Sequence, residues 1–348
     1  YVGLNSPYFF SLCLTSANPP YQSENEQNHR QAPLYDKFMS AAYQIGDVAE
    51  FITPARFLFR AGQTPKSWNE TMLSDVHFCV LKYFRDSSDV FQNVDIKGGV
   101  AITIRNIHKD YGAIQNFIIY DELRSIIRKV KGNLFSPFSF LIFPKSTYNL
   151  SDILYDKYPE LKGRLTKNNQ YVVDAGIFEK MPEIFSFEKT SDTDIKVYGR
   201  QHNRRVQKWI SKRFIKDNEQ TNKYKLLISG ANGTGAFGEI LSTPDIAEPG
   251  SCHTQTFMSI GPFDSQLEAE NCIKYIKSKF LRALLSSLKV TQNNAKETWS
   301  NIPIQDFGNS SDIDWSQPIP KIDQQLYKKY GLDQSEIDFI ETHVKEMA

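Results

Sequence analysis

YFFSLCLTSANPPYQ, residues 8–22, is an apolar run that stops at two consecutive prolines. Proline lacks a backbone N–H and fixes its own φ, so neither a sheet ladder nor a helix continues through Pro19-Pro20. The run predicts a buried strand, and Asn18 to Tyr21 a rigid loop at its carboxyl end. Such a loop holds two oxygen acceptors in fixed positions, the side-chain carbonyl of Asn18 and the backbone carbonyl of Pro19. The exocyclic amine of adenine is a poor nucleophile because its lone pair is delocalised into the ring. Acceptors that hold its hydrogens favour a more tetrahedral nitrogen, and a pre-set geometry avoids reorganisation. Tyr21 adds a flat face for an unstacked base, worth about 1–3 kcal/mol in single-strand binders. Taken alone, the tetrapeptide reads equally well as a rigid turn at a strand end.

The chain has 348 residues, room for about two or three domains. Hydrophobic residues are 40% and charged residues 23%, a normal soluble composition, and 24 Phe with 17 Tyr suit a large core. A net charge of +1 excludes a polycation, so any DNA contact has to come from local basic clusters. Cys13, Cys79, Cys252 and Cys272 form no C-x-x-C pair. That argues against a zinc knuckle and for reduced thiols in the cytoplasm. The six histidines show no metal spacing. No apolar run reaches the roughly 18 residues of a membrane span, and Tyr1 to Leu14 lacks the basic leader of a signal peptide.

Past the loop, Leu34, Phe38, Ala41, Ala42 and Ile45 recur at helical spacing. Val48 to Thr53, Val76 to Phe84 and Val100 to Ile107 read as strands, with helices around Trp68 to Leu73 and Glu122 to Val130. Ala113 to Tyr120 is expected to pair with the last strand as a hairpin across Lys109 to Gly112. This alternation predicts a largely parallel α/β sheet with an antiparallel end. A proline-punctuated stretch after residue 130 places a boundary near 125–145, giving domains over 1–130 and 131–348. In the second, Asp264 or Ser265 is expected to cap one long helix carrying the stripe Leu267, Cys272, Ile273, Ile276, Phe280, Leu284, Leu285 and Leu288. A last helical pair is split at Gly331, with Asp333 and Glu336 at capping-box spacing.

Two further segments carry chemistry. Arg200, Arg204, Arg205, Lys208, Lys212, Arg213 and Lys216 crowd one stretch. Val206, Trp209, Ile210 and Phe214 fit one face of a helix, which leaves the cations on the other as a phosphate-contacting surface; a solvated face is the plain alternative. Gly233, Gly235 and Gly238 have the glycine spacing of a dinucleotide loop, but Pro244 and Pro249 stand where its helix should follow. A loop is expected there, with Asn232 and Thr234 able to reach base edges.

ANPPYQ at 17–22 resembles the catalytic motif of adenine-specific DNA methyltransferases in bacterial restriction–modification systems. AEFITPARFL at 49–58 resembles the next strand of that family and the helix start after it. VDIKGGVAITI at 94–104 is similar to the β-hairpin region that closes its catalytic sheet. TQTFMSIGPF at 254–263, NIPIQDF at 301–307 and QLYKKYGLDQSEIDFIE at 325–341 resemble the recognition half of a single-chain branch of the family.

The resemblance implies a fold and a site. A partial Rossmann-like methyltransferase sheet would be followed by an α+β target-recognition domain. Asn18 and Pro19 would bind the target amine, Tyr21 would stack on a flipped adenine, and Pro20 would shape the loop beside the methyl donor, where Asn18 also lies. The implied cofactor is S-adenosylmethionine and the implied partner is double-stranded DNA. In the family a Gly-rich turn upstream of the catalytic motif binds the donor. None precedes residue 18, so the cofactor site is expected to be incomplete here, to be completed by an N-terminal half or by another chain such as a restriction subunit. Tyr111 is the aromatic nearest to where the family hairpin supplies a second stacking ring. Two rival readings are a non-catalytic DNA-specificity module and the methylase part of a fused restriction enzyme.

Overall fold

The computed structural model describes residues 14–20, 32–92, 96–132, 135–289 and 291–347. The chain is a mixed α/β protein with three sheets among the described residues, and it divides into two compact units, Tyr1–Ile119 and Tyr120–Ala348.

The first unit is built on a four-stranded sheet of β1 (Leu14–Ala17), β2 (Val48–Pro54), β3 (Phe78–Phe84) and β4 (Val100–Asn106), in the order β1-β2-β4-β3. β1 and β2 are parallel, with Leu14 opposite Val48 and Ala17 opposite Phe51. Between them in sequence lies α1 (Tyr35–Ile45), the kind of crossover that a parallel pair requires. α1 buries Tyr35, Met39 and Ala42, one face at helical spacing. On β2, Ala49, Phe51 and Thr53 are buried and the residues between them are half-buried, the period of two that puts alternate side chains on one face. α2 (Lys66–Ser74) buries Met72 and Leu73.

β4 pairs antiparallel with β2 on one side and β3 on the other. Both of its edges are therefore taken, and the hairpin expected over 113–120 does not form. That segment instead runs back past the end of α2: the Tyr111 N–H donates to the Val76 carbonyl at 2.7 Å, and the Gln115 N–H to the Leu73 carbonyl at 2.8 Å.

The second unit holds α3 (Asp121–Val130), β5 (Ile142–Phe143), α4 (Asp152–Lys157), α5 (Ile177–Lys180), β6 (Asp194–Gln201), β7 (Arg204–Ser211), β8 (Tyr224–Ser229), β9 (Asp245–Ala247), β10 (Ser251–His253) and β11 (Phe257–Phe263), then α6 (Gln266–Lys277), α7 (Lys279–Leu285), α8 (Ile319–Lys329) and α9 (Gln334–His343). Its strands make two sheets, β10-β6-β7 and β5-β11-β8-β9. Ile195 and Val197 of β6 and Ile210 of β7 pack into a core with Tyr148, Leu154 and Phe178.

The single long helix predicted after residue 265 is two helices. Ser265 caps α6 by accepting the Glu268 N–H, as expected. Ser278 then ends it and caps α7, its Oγ accepting the Leu281 N–H at 3.1 Å. The buried Asp323 carboxylate takes the N–H groups of Lys279 and Phe280 at 3.0 and 2.9 Å. The apolar spacing runs through this break, so periodicity alone hides it. Leu267, placed on the stripe, is half exposed. The capping box on α9 is present as read, between Asp333 and Glu336.

Two buried ionisable groups set a pH dependence for this unit. Lys225 on β8 is fully buried and donates to Ser251 Oγ and the Lys223 carbonyl at 3.0 and 3.1 Å. Burial pulls its pKa down to about 8. His253 on β10 is buried between the Thr254 carbonyl and Ser259 Oγ, and burial lowers it to about 4. Both groups have folded pKa values below their unfolded ones, so the unfolded chain binds more protons in each window. For Lys225, stability is fully present above about 10.5 and falls as pH drops to 8; for His253 it falls as pH drops from about 6.5 to 4. Asp323, raised by burial to about 6, works the other way between about 3.8 and 6, and Cys252, raised by burial to about 12, does so above about 9. Each limb, about 3 kcal/mol, is therefore expected as the difference in denaturant melts between the wild type and Lys225→Met or His253→Gln. A variant with the pH dependence of the wild type across its window would contradict the assignment.

Candidate active site and nucleic-acid interface

Asn18 is the first residue past β1, beside the carboxyl-terminal half of β2. Pro19 is buried, which anchors the turn, while Asn18 and Pro20 are exposed. The two prolines thus hold an exposed carboxamide at the carboxyl end of a parallel strand pair. That end of an α/β sheet is where ligands bind, because loops there are free to diverge around a crevice. The Pro19 carbonyl and the Asn18 carboxamide are on adjacent residues, as two acceptors for one amine require. Tyr21, the predicted stacking ring, and Cys13 lie outside the described residues.

The second ring of the expected base sandwich is not Tyr111. Asn106 is opposite Val48, so the segment after β4 leaves the sheet at the amino end of β2, the rim away from Asn18. Tyr111 is there, under the Lys109 ammonium at 4.8 Å. The rim that carries Asn18 has Tyr83 and Phe84 on β3, both half-buried. They stand three strand spacings from β1, about 14 Å. The sequence offered a signal for them in the Lys-Tyr-Phe end of β3, but nothing in it assigned that end to a rim.

In the second unit the basic segment is a hairpin and not a helix. β6 and β7 pair antiparallel from Asp194–Ser211 to Gln201–Arg204. His202 and Asn203 make the two-residue turn with φ of 48° and 63°, both in the left-handed region, as the tight turn that matches strand twist demands. Val206, Trp209, Ile210 and Phe214 therefore do not share a face: Val206 and Ile210 point to the core side and Trp209 to the other. Neither do the cations. Lys208 is 5% exposed, its ammonium 5.0 Å from the Phe178 ring and 4.8 Å from the Phe187 ring. It is a core residue whose apolar stem fills a strand position. Arg205 pairs with Asp245. Arg200, Arg204 and Arg213 are exposed, and among the described residues none of the three is in an ion pair. Lys212 is half-buried and lines a cavity of about 370 Å³ with Trp209, Lys189 and Lys196, two cations that the sequence reading missed.

The glycine loop is a loop, as predicted, and its amides are already used. The N–H groups of Thr234 and Gly235 donate to the Glu239 carboxylate, which also pairs with Lys289. Burial pushes that carboxyl up, but the Lys289 and Thr234 bonds outweigh it and hold it below the usual range. Gly233 has φ +66°, and a Cβ there would sit 2.3 Å from the Glu239 carboxylate. The glycines thus build a nest for an internal anion. No helix follows, so the loop does not fit the phosphates of a nucleotide cofactor. Thr234 is exposed, with its hydroxyl bonded to Glu239, and the Asn232 Oδ1 accepts the Ser242 N–H at 3.3 Å. The Asn232 amide N–H₂ is the group left to reach outward. Glu239→Gln should loosen this loop and raise its backbone amide exchange about tenfold, read by hydrogen exchange at 234–235; unchanged exchange would mean that the carboxylate does not hold it.

Among the described residues there is no group of three or more potential metal ligands, and no helix is long and apolar enough to cross a membrane. Cys79, Cys252 and Cys272 are free thiols. Around Asn18 the described residues supply one exposed carboxamide and one exposed proline.

Residues 8–91 match the family model described as Eco57I restriction-modification methylase. The matched stretch includes the whole Asn18–Tyr21 loop and runs through β3. No curated protein matches the chain. Among solved structures, that of the type IIG restriction endonuclease BpuSI is similar at 8% identity, over 90% of this chain and 50% of that one, with a TM-score of 0.29. The chain thus spans about half the length of that protein, and the likeness is too weak to carry a fold assignment.

Proposed function

We propose that this chain carries the catalytic loop and the target-recognition unit of a DNA methyltransferase of a restriction–modification system, acting on the exocyclic amine of adenine. The catalytic part is residues 1–130, with a Rossmann-like sheet, and the recognition part is 131–348. The observation that carries the reading is the position of Asn18-Pro19-Pro20 at the carboxyl end of the parallel β1–β2 pair, inside the stretch that matches a methylase family.

In this reading an adenine leaves the helix stack, at a cost of a few kcal/mol, and enters the crevice beside Asn18. The Asn18 side-chain oxygen and the Pro19 carbonyl each accept one amine hydrogen. The nitrogen pyramidalises and its lone pair turns outward. Buried Pro19 keeps both oxygens in place, so little is spent on reorganisation. Tyr21 stacks on the base, and Pro20 closes the turn. S-adenosylmethionine supplies the methyl group when bound, beside Asn18 and Pro20. Arg200, Arg204, Arg205, Lys212 and Arg213 contact DNA, and the Asn232 amide beside Thr234 reaches a base edge.

Labelled methyl transfer from S-adenosylmethionine into duplex DNA tests the proposal. Label in the DNA supports it. DNA that binds the protein but takes up no label, with donor present, favours a non-catalytic specificity module instead.

A further inference from the structure

We propose that the tip of the β6–β7 hairpin enters the major groove of duplex DNA as a two-stranded ribbon, with Arg200 and Arg204 as its base-edge donors. This deepens the DNA-methyltransferase reading and rests on it.

Four observations carry the inference. First, the ribbon is rigid to its end. Pairing is unbroken from Asp194–Ser211 to Gln201–Arg204, and the turn has only two residues. Its stem is anchored by Ile195, Val197 and Ile210 in the core, and by Gly199, where a Cβ would meet Phe178 at 2.6 Å and Thr254 at 2.8 Å. Second, burial ends at Gly199. Arg200, His202, Asn203, Arg204 and Arg205 are all exposed. Third, the charge at the tip is uncompensated. Arg205 is held by Asp245, and Glu179 accepts the His202 N–H at 3.4 Å, but Arg200 and Arg204 have no ion pair among the described residues. Arg200 stands opposite Arg205, whose charge Asp245 already takes, and Arg204 stands opposite Gln201 on the other face, so each face of the tip carries one arginine without an ion pair among the described residues. Fourth, the size fits. Strands about 4.8 Å apart that extend about 10 Å past Gly199 match a groove about 12 Å wide and about 8.5 Å deep. An arginine fork there can bond O6 and N7 of a guanine.

The test measures binding of the 348-residue protein to two duplexes of one sequence mixture. One is unmodified; the other carries glucosylated 5-hydroxymethylcytosine, whose sugars fill the major groove. The wild type should bind the glucosylated duplex at least about tenfold more weakly. R200A/R204A should weaken binding to the unmodified duplex about tenfold and bind both duplexes alike. R200K/R204K keeps the charge but not the fork; it should keep the salt slope and bind the unmodified duplex more weakly than the wild type. Equal binding of both duplexes by the wild type overturns the inference. So does an R200A/R204A variant that discriminates like the wild type, because groove entry then does not depend on these arginines. Absence of duplex binding at low salt overturns the DNA-binding reading itself, a result distinct from either.

Discussion

Asn18→Ala is expected to slow adenine methylation by about 10²- to 10³-fold, the loss typical for removing one pre-organised hydrogen-bond partner from a reacting group. The alanine leaves the Pro19 carbonyl as the only acceptor on the turn, so one amine hydrogen goes unheld and the lone pair stays in the ring. The backbone of the loop is set by Pro19 and Pro20, and Asn18 is exposed, so the substitution should not disturb β1 or its pairing with β2. Asn18→Asp keeps an oxygen in the same place and is expected to retain far more activity than the alanine variant. Duplex binding should be unchanged in both. Single-turnover rates together with DNA titrations check this. A methylation rate within about twofold of wild type for Asn18→Ala would remove the residue from the mechanism.

Trp299→Ala is expected to destabilise the second unit by about 3–5 kcal/mol, the usual loss for a large aromatic deleted from a core. Trp299 ends a short 3-10 turn, Lys296–Trp299, and is fully buried. Its ring stacks on Phe138, centroids 5.6 Å apart and planes inclined by 28°, and Phe138 meets the edge of Tyr275 on α6 at 5.9 Å. The same contact closes a loop of chain: the Phe138 N–H donates to the Ile302 carbonyl at 2.7 Å. The Trp299 indole N–H has no partner among the described residues. Trp299→Phe, which preserves a stacking ring and removes that unpartnered donor, should therefore cost much less than the alanine change. Urea melts of the two variants check the order. Equal losses would mean that a phenyl ring does not restore the contact with Phe138, and would contradict this account.

What could be read in the sequence follows from how local its cause is. β2 and β4 were legible from alternation, and the capping box at Asp333 and Glu336 from two side chains three residues apart. The NPP turn was legible because proline dictates its backbone without help from elsewhere. The failures are tertiary. β7 reads as a helix in the sequence because Val206, Trp209, Ile210 and Phe214 also fit a helical period, and because Lys208 interrupts the strand alternation. Its ammonium lies against the rings of Phe178 and Phe187, residues distant in sequence. The break at Ser278 depends on Asp323, which supplies acceptors to α7 from 44 residues past Lys279. The 113–120 hairpin failed because β3 already occupied the edge of β4 that it needed. For the site, residue types were legible and the rim was not: only the parallel register of β1 with β2 puts Asn18 at the carboxyl end and sends Tyr111 to the other.

The central claim is that Asn18 and Pro19 hold an adenine amine at the end of β1. Its most direct test is the identity of the modified atom. Duplex DNA methylated by the protein is digested to nucleosides and resolved by mass spectrometry. The account predicts N6-methyladenine, with the signal lost in Asn18→Ala. Methyl groups found on cytosine, or N6-methyladenine that persists undiminished in Asn18→Ala, would contradict it.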